Sequence, residues 1–165
     1  PRPRMRHVAR CADHDSGTAF PYYVKDGEED TDGDLVEDNW ETNNFGMPAA
    51  EVSAIADPDD DGIPNYMEFA FFTDPLSPNA APPAVSVDEG SHPVLTYQRH
   101  ITAPNYYNFD IETSMNGDHW ERLSNLETLT IRPIGALAES IVTRCLVDTH
   151  QLGLSFYRIR VTPRS

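Results

Sequence analysis

Lysine is almost absent from this chain. Lys25 stands alone beside eleven arginines, against 27 acidic residues, and the formal net charge over 165 residues is −15. So few clustered cations exclude a nucleic-acid or anionic-membrane partner, because phosphate binding needs groups of Lys and Arg. Long apolar runs are missing too. None approaches the ~20 residues that a membrane helix requires, which excludes helical membrane insertion. Residues 1–10 hold four arginines and no apolar stretch, so they are no intact signal peptide. With no initial methionine, the sequence reads as a piece of something longer. Two cysteines, Cys11 and Cys145, are too few for a disulfide framework. Cys145 shares a strand face with Ile141, Thr143 and Val147 and reads as a buried thiol, with a Cys11–Cys145 bridge as the alternative in an oxidising compartment. The six histidines show neither HExxH nor i,i+4 spacing, and no Gly-x-Ser-x-Gly elbow is present. Zinc and acyl-transfer chemistry therefore lack a motif.

Charge is unevenly distributed. Residues 1–25 carry five bases and two acids, residues 26–74 sixteen acids and no base, and residues 81–165 nine acids and seven bases. A stretch so uniformly negative either repels itself into disorder or is neutralised by a cation. Residue order favours the cation. Asp57 to Glu68 is a twelve-residue loop with side-chain oxygens at positions 1, 3, 5, 9 and 12 (Asp57, Asp59, Asp61, Asn65, Glu68) and Gly62 at position 6. That is the spacing that wraps oxygen ligands around calcium, with the Ile63 carbonyl as a backbone ligand and Glu68 closing the site from a helix over 65–72. Asp30 to Glu41 repeats the pattern 27 residues earlier, with Asp30, Asp32, Asp34, the Val36 carbonyl, Asp38 and Glu41 as candidate ligands. Position 6 there is Leu35, which would have to take a left-handed backbone at a cost of about 1 kcal/mol or more. A different turn or weaker binding is expected, so of two calcium ions the second site is the stronger.

These segments resemble bacterial thrombospondin type 3-like, dockerin-like calcium repeats. The resemblance rests on Asp30-Thr31-Asp32-Gly33-Asp34 with Asp38, Trp40 and Glu41. It continues through Asp57-Pro58-Asp59, Asp61-Gly62-Ile63, Asn65, Glu68, Ala70 and Thr73-Asp74-Pro75. Leu35 and Phe72 depart from it, since glycine is usual at both places. It implies a calcium-binding structural module of a secreted or cell-surface protein.

Beyond a proline-rich linker, residues 77–83, the pattern turns to alternation. Tyr107, Phe109, Ile111 and Thr113 alternate with polar residues, and Asn116-Gly117 is a turn signal. Further strands are expected at Ala84–Val87, Val94–Arg99, Trp120–Leu123, Thr128–Arg132, Ile141–Val147 and Phe156–Thr162. Seven short strands predict an immunoglobulin- or fibronectin-like β-sandwich over residues 84–165. Leu95 to Arg99, Tyr107 to Ser114, Trp120 and Phe156 to Val161 resemble a C-terminal module of large secreted proteins of Gram-negative bacteria.

The expected organisation is thus a basic tail or upstream remnant (1–25), a paired calcium-loop module (26–76), the linker, and the sandwich: mainly β with a small α/loop module. A non-enzymatic spacer and presentation role follows, with an upstream domain or a protein as partner. Three rivals stay open, one of them an enzyme whose active site lies upstream of this stretch. A dockerin-like docking module would expose the apolar helix face around Phe69, Phe71 and Phe72. A carbohydrate-binding β-domain serving an upstream enzyme would stack sugars on Tyr106, Tyr107 and Trp120, of which Tyr107 and Trp120 otherwise read as core.

Overall fold

A computed structural model describes residues 29–78, 84–147 and 155–164. Two short helices, α1 (Asp38–Phe45) and α2 (Asn65–Phe71), each follow an acidic loop, and a 3-10 turn at Ala49–Glu51 lies between them. Seven strands follow: β1 (Ala84–Val87), β2 (Pro93–His100), β3 (Tyr107–Ser114), β4 (Glu121–Arg122), β5 (Leu126–Ile134), β6 (Ala138–Cys145) and β7 (Phe156–Pro163). A further helix, α3 (Ala103–Tyr106), carries Pro104 in its first turn, where a missing N–H costs nothing. The strands form two antiparallel sheets, ordered β1-β2-β6-β5 and β4-β3-β7. The protein is therefore mainly β, a sandwich-like pair of sheets with few short helices.

Alternation decides the packing. Leu95 and Tyr97 of β2, Ile141 of β6, Ile111 of β3 and Ile159 of β7 turn inwards and make one buried cluster between the sheets. The connection from β4 to β5 spans only residues 123–125, so those two strands lie at the same end of the sandwich. Cys145 is wholly buried as a thiol, while Cys11 lies outside the described residues.

The strand bounds need correction in three places. β5 extends beyond the expected 128–132 at both ends, because its hairpin with β6 pairs through to Ile134 and Ala138. Pro133 sits inside it without penalty, since an edge strand needs no ladder N–H on its outer side. For the same reason β6 starts before Ile141, and it stops at Cys145, short of Val147. β4 is reduced to Glu121–Arg122, with Trp120 and Leu123 outside it.

The acidic segment does not stand apart from the sheets. Val36, Trp40, Phe69 and Ala70 share a buried cluster with Ala103 and Tyr107. Phe69 meets the rings of Trp40 at 5.8 Å, His100 at 4.8 Å and Tyr106 at 6.0 Å, and Phe71 meets Phe109 at 5.9 Å. The Tyr107 hydroxyl donates to the Leu35 carbonyl at 2.9 Å. The acidic loops are thereby anchored to the end of the sandwich where β2 finishes and β3 begins. The expected linker at 77–83 lies outside the described residues from 79 onwards.

Candidate metal centre

The two acidic loops share the hydrogen bonds made at positions 1, 3 and 5. At position 1, Asp30 accepts the N–H groups of Asp34 (3.1 Å) and Leu35 (3.0 Å), and Asp57 those of Asp61 (3.2 Å) and Gly62 (2.9 Å). At position 3, Asp32 accepts the N–H of Asp34 at 3.3 Å and Asp59 that of Asp61 at 3.2 Å. At position 5, Asp34 accepts the N–H of Val36 at 3.0 Å and Asp61 that of Ile63 at 2.8 Å. Each helix then begins at position 9. There the N–H of Asp38 donates to Glu29 and that of Asn65 to Ala56, both at 2.8 Å.

Their backbones also share two left-handed residues, with the glycine in opposite places. Position 4 is Gly33 (φ 79°) in the first loop and Asp60 (φ 58°) in the second; position 6 is Leu35 (φ 74°) and Gly62 (φ 90°). Leu35 has therefore not changed the turn, one of the two outcomes expected from the sequence; it bears the strain instead. Its half-buried side chain packs beside the Val36–Trp40–Phe69 cluster, and its carbonyl receives Tyr107. Phe72 likewise takes the left-handed backbone at the end of α2 (φ 53°), where the helix-ending glycine would stand.

Ligand atoms converge. Oxygens of Asp30, Asp32 and Asp34 lie within 4.8 Å of one another, and so do those of Asp57, Asp59 and Asp61. Position 12 adds a buried carboxylate to each loop: Glu41 is 0% and Glu68 1% exposed. Both Glu41 oxygens lack a hydrogen-bond partner, as do Oε2 of Glu68, Oδ2 of Asp59 and Asp61, and Oδ1 of Asn65. Burial first, then Asp34, Asp32, Asp38 and Asp30, push the Glu41 pKa up to about 8. Burial first, then Asp59, Asp61 and Asp74, raise Glu68 to about 7, opposed by the Thr73 hydroxyl, which lies 3.2 Å from its Oε1. A buried carboxylate without a donor costs several kcal/mol at the order-of-magnitude level unless a cation faces it. Residues 26–74 contain no Lys or Arg to do so. The acidic groups can hold a metal ion: the donors are all hard oxygens, the class that suits calcium or magnesium.

Some candidate ligands have other work. Both oxygens of Asp38 accept from Thr31, the N–H at 2.9 Å and the hydroxyl at 2.8 Å, which ties the loop entrance to the first turn of α1. Asn65 donates its amide to the Ser53 carbonyl at 2.9 Å, leaving its Oδ1 for the loop. Val36 is fully buried, and Ile63 half-buried. The segment between the loops joins them, since the Ala54 N–H donates to Asp34 at 3.1 Å and the Ala54 carbonyl accepts from Tyr66 at 2.9 Å. Sequence reasoning passed over Ser53 and Ala54 and gave Tyr107 no part in the loops. Their contributions are made by backbone groups or across long separations, which no spacing reveals. Thr31 and Thr73 were visible only as parts of the repeat.

The aromatic residues do not form one platform. Tyr107 is buried, and Tyr106 packs on Phe69. Trp120 is half-buried outside the core, which corrects its expected place there. Its indole N–H donates to Gly117 at 2.9 Å, and the Arg158 guanidinium sits 4.2 Å over its ring. Phe69 is fully buried against the sheets and Phe71 half-buried, so of the three phenylalanines only Phe72, just past α2, is exposed, at 38%. His100, 3% exposed, bonds the Thr102 hydroxyl through Nδ1 at 2.7 Å, and burial depresses its pKa to about 4. No helix among the described residues is long and apolar enough to cross a membrane. Comparison with known proteins finds no matching family model, no matching curated protein and no matching solved structure.

Proposed function

We propose that residues 29–74 bind two calcium ions, one in each loop, and that the ions hold this acidic segment folded against the sheets. The observation that carries the reading is the pair of buried glutamates. Glu41 and Glu68 are both shut away from water, and each has unpartnered oxygen beside a triad of converging aspartates. The ligands would be Asp30, Asp32, Asp34, the Val36 carbonyl and Glu41 in one loop, with Asp38 in support. In the other they would be Asp57, Asp59, Asp61, the Ile63 carbonyl, Asn65 and Glu68. Calcium is favoured over magnesium because a flexible loop of many carboxylates suits six to eight oxygens at roughly 2.3–2.6 Å better than a rigid octahedron. The second loop is the tighter site, since glycine occupies its position 6 while Leu35 is strained in the first.

The role is structural and non-enzymatic: a calcium-stabilised module that fixes and presents a β-sandwich of immunoglobulin-like type. The resemblance to thrombospondin type 3-like repeats supports a secreted or cell-surface setting. Extracellular loops of this kind bind at roughly 10⁻⁴–10⁻³ M, which matches calcium-rich surroundings.

Calorimetric titration of chelator-stripped protein with calcium, with far-UV circular dichroism at both ends, tests this. Two events with a gain of helix are expected. A single event would restrict the proposal to Asp57–Glu68, and no binding at several millimolar would end it.

A further inference from the structure

The chain has a single Asn-Gly pair, Asn116-Gly117, in the turn that leaves β3, and the calcium loops make no use of it. Its polar groups converge on two oxygens. Ser114, 3% exposed at the end of β3, accepts the Gly117 N–H on its hydroxyl at 2.9 Å and that of Asn116 at 3.4 Å. The same hydroxyl donates to Oδ1 of Asn116 at 3.2 Å. That Oδ1 also accepts the N–H groups of Asp118 at 3.0 Å and His119 at 3.1 Å. Such a turn folds the Asn116 side chain over the amides that follow it. Residues 115–119 are exposed, so water reaches the turn. Gly117, with φ 82°, has no side chain to shield its nitrogen.

These contacts supply what an attack by the Gly117 nitrogen on the Asn116 carboxamide needs. Attack closes a five-membered ring. The turn holds the two groups together before reaction, which removes the orientational cost that a loose chain bears. An amide nitrogen is a poor nucleophile until its proton leaves. Here that proton points at Ser114 Oγ, whose own proton points at Oδ1. The attacking electron pair lies perpendicular to the peptide plane, so the in-plane hydrogen bond does not block it. Negative charge develops on Oδ1, where the Asp118 and His119 N–H groups are already aimed.

We propose that Asn116 is a self-modification site, deamidated by its own turn with Ser114 as the proton relay. The Gly117 nitrogen bonds to Cγ of Asn116 while its proton passes to Oγ and the hydroxyl proton passes to Oδ1. The tetrahedral intermediate then breaks its Cγ–Nδ2 bond. Ammonia leaves with the Oδ1 proton, and a cyclic imide remains. One water opens the imide, at Cγ to give aspartate or at the backbone carbonyl to give isoaspartate. Isoaspartate lengthens the backbone by one carbon, in a turn where the Gly117 carbonyl accepts the Trp120 indole N–H at 2.9 Å. Arg158, 4.2 Å over that indole, loses its platform when the bond slips. The step thus loosens this end of the β4-β3-β7 sheet irreversibly.

Incubation of the full chain in calcium buffer at neutral pH, with tryptic mapping of residues 100–122 over time, tests it. Fragmentation mass spectrometry locates the gain of one mass unit and separates isoaspartate from aspartate. Asn105 and Asn108, in the same peptide but followed by aromatic residues, are internal controls. Asn116 is expected to react at least about tenfold faster in the folded chain than in the chain unfolded in urea, less than the 10²–10⁴-fold that a general base of matched pKa contributes. Ser114→Ala, with its fold checked by circular dichroism, should lose that advantage. Two protons move through Ser114, so heavy water should slow the unsubstituted chain more than the variant. Three results would overturn the proposal: a folded chain that reacts no faster than the unfolded one, which would make the turn a shield; an unchanged rate in folded Ser114→Ala; or equal slowing of both by heavy water. Should Ser114→Ala fail to fold, the comparison of folded and unfolded unsubstituted chain decides alone.

Discussion

Leu35 and Gly62 occupy the same position in two loops of the same backbone, and the difference between them can be measured. Gly62 has φ 90°, and a Cβ built there meets nothing within 4 Å, so Gly62→Ala changes backbone energy and little else. Calcium binding by the second loop is expected to weaken by about 1–2 kcal/mol, roughly tenfold in a titration. Glu41→Gln and Glu68→Gln act in two directions. With calcium, each should cost its loop more than the roughly 10–100-fold that loss of a supporting partner costs a metal site. In chelator, each should stabilise the fold at neutral pH, because it removes a carboxylate that must otherwise be buried beside aspartates; thermal unfolding of the variants with and without calcium reads both signs.

Proton linkage follows from the same residues. Glu41 and Glu68 rise from 4.5 to about 8 and about 7, so the folded chain holds their protons more tightly than the unfolded chain. The stability they contribute is complete below pH 4.5 and is lost as pH rises through about 7 and 8. His100, lowered from 6.5 to about 4, contributes stability that is lost as pH falls through that range. Of these three groups only the glutamates titrate between pH 6.5 and 8. In chelator the melting temperature is expected to fall across that interval, and saturating calcium should flatten the trend.

At the scale of elements, α2 joins the loop to the sheets. Asn65 and Glu68 face the acidic loop while Phe69 and Ala70 enter the core with Tyr107 and Ala103. One helical turn thus serves a polar site and an apolar seam, which ties ligand geometry to packing. Phe69→Ala is expected to cost about 3–5 kcal/mol, the usual toll of emptying a buried phenylalanine site. It should weaken calcium binding as well, although Phe69 is no ligand. Urea unfolding and calcium titration of one preparation check both, and unchanged binding would show that the site is independent of the seam.

For the whole molecule, the shared core predicts cooperation between the acidic segment and the sandwich. Calcium at 100 times a site's dissociation constant adds about 2.7 kcal/mol per site to whatever unit unfolds with it. If that unit includes the sheets, backbone and aromatic signals should move together to a higher midpoint when calcium is added. Separate transitions, with only the first responding to calcium, would mean that the ring contacts of Phe69 and Phe71 are too weak to couple the halves.

Much of this was legible in order and spacing alone. Carboxylates two residues apart are brought together by any tight turn, so the aspartate triads and their closing glutamates could be read without coordinates. Period-two alternation placed the strands for a similar local reason, and failed chiefly at β5 and β6, where pairing continues past a proline that pattern reading treats as an end. Leu35 was the instructive exception. Local sterics argue against a left-handed leucine, and only its carbonyl bond from Tyr107, 72 residues away, and its packing beside Val36 show what compensates. The docking of α2 on the sheets, the burial of Tyr107 and the pairing of β7 with β3 all depend on contacts between segments distant in the chain. Sequence by itself determined the local chemistry, because loops and strands are short-range objects. Tertiary structure alone decided which faces are covered, because burial is a property of neighbours that the chain brings together only when folded.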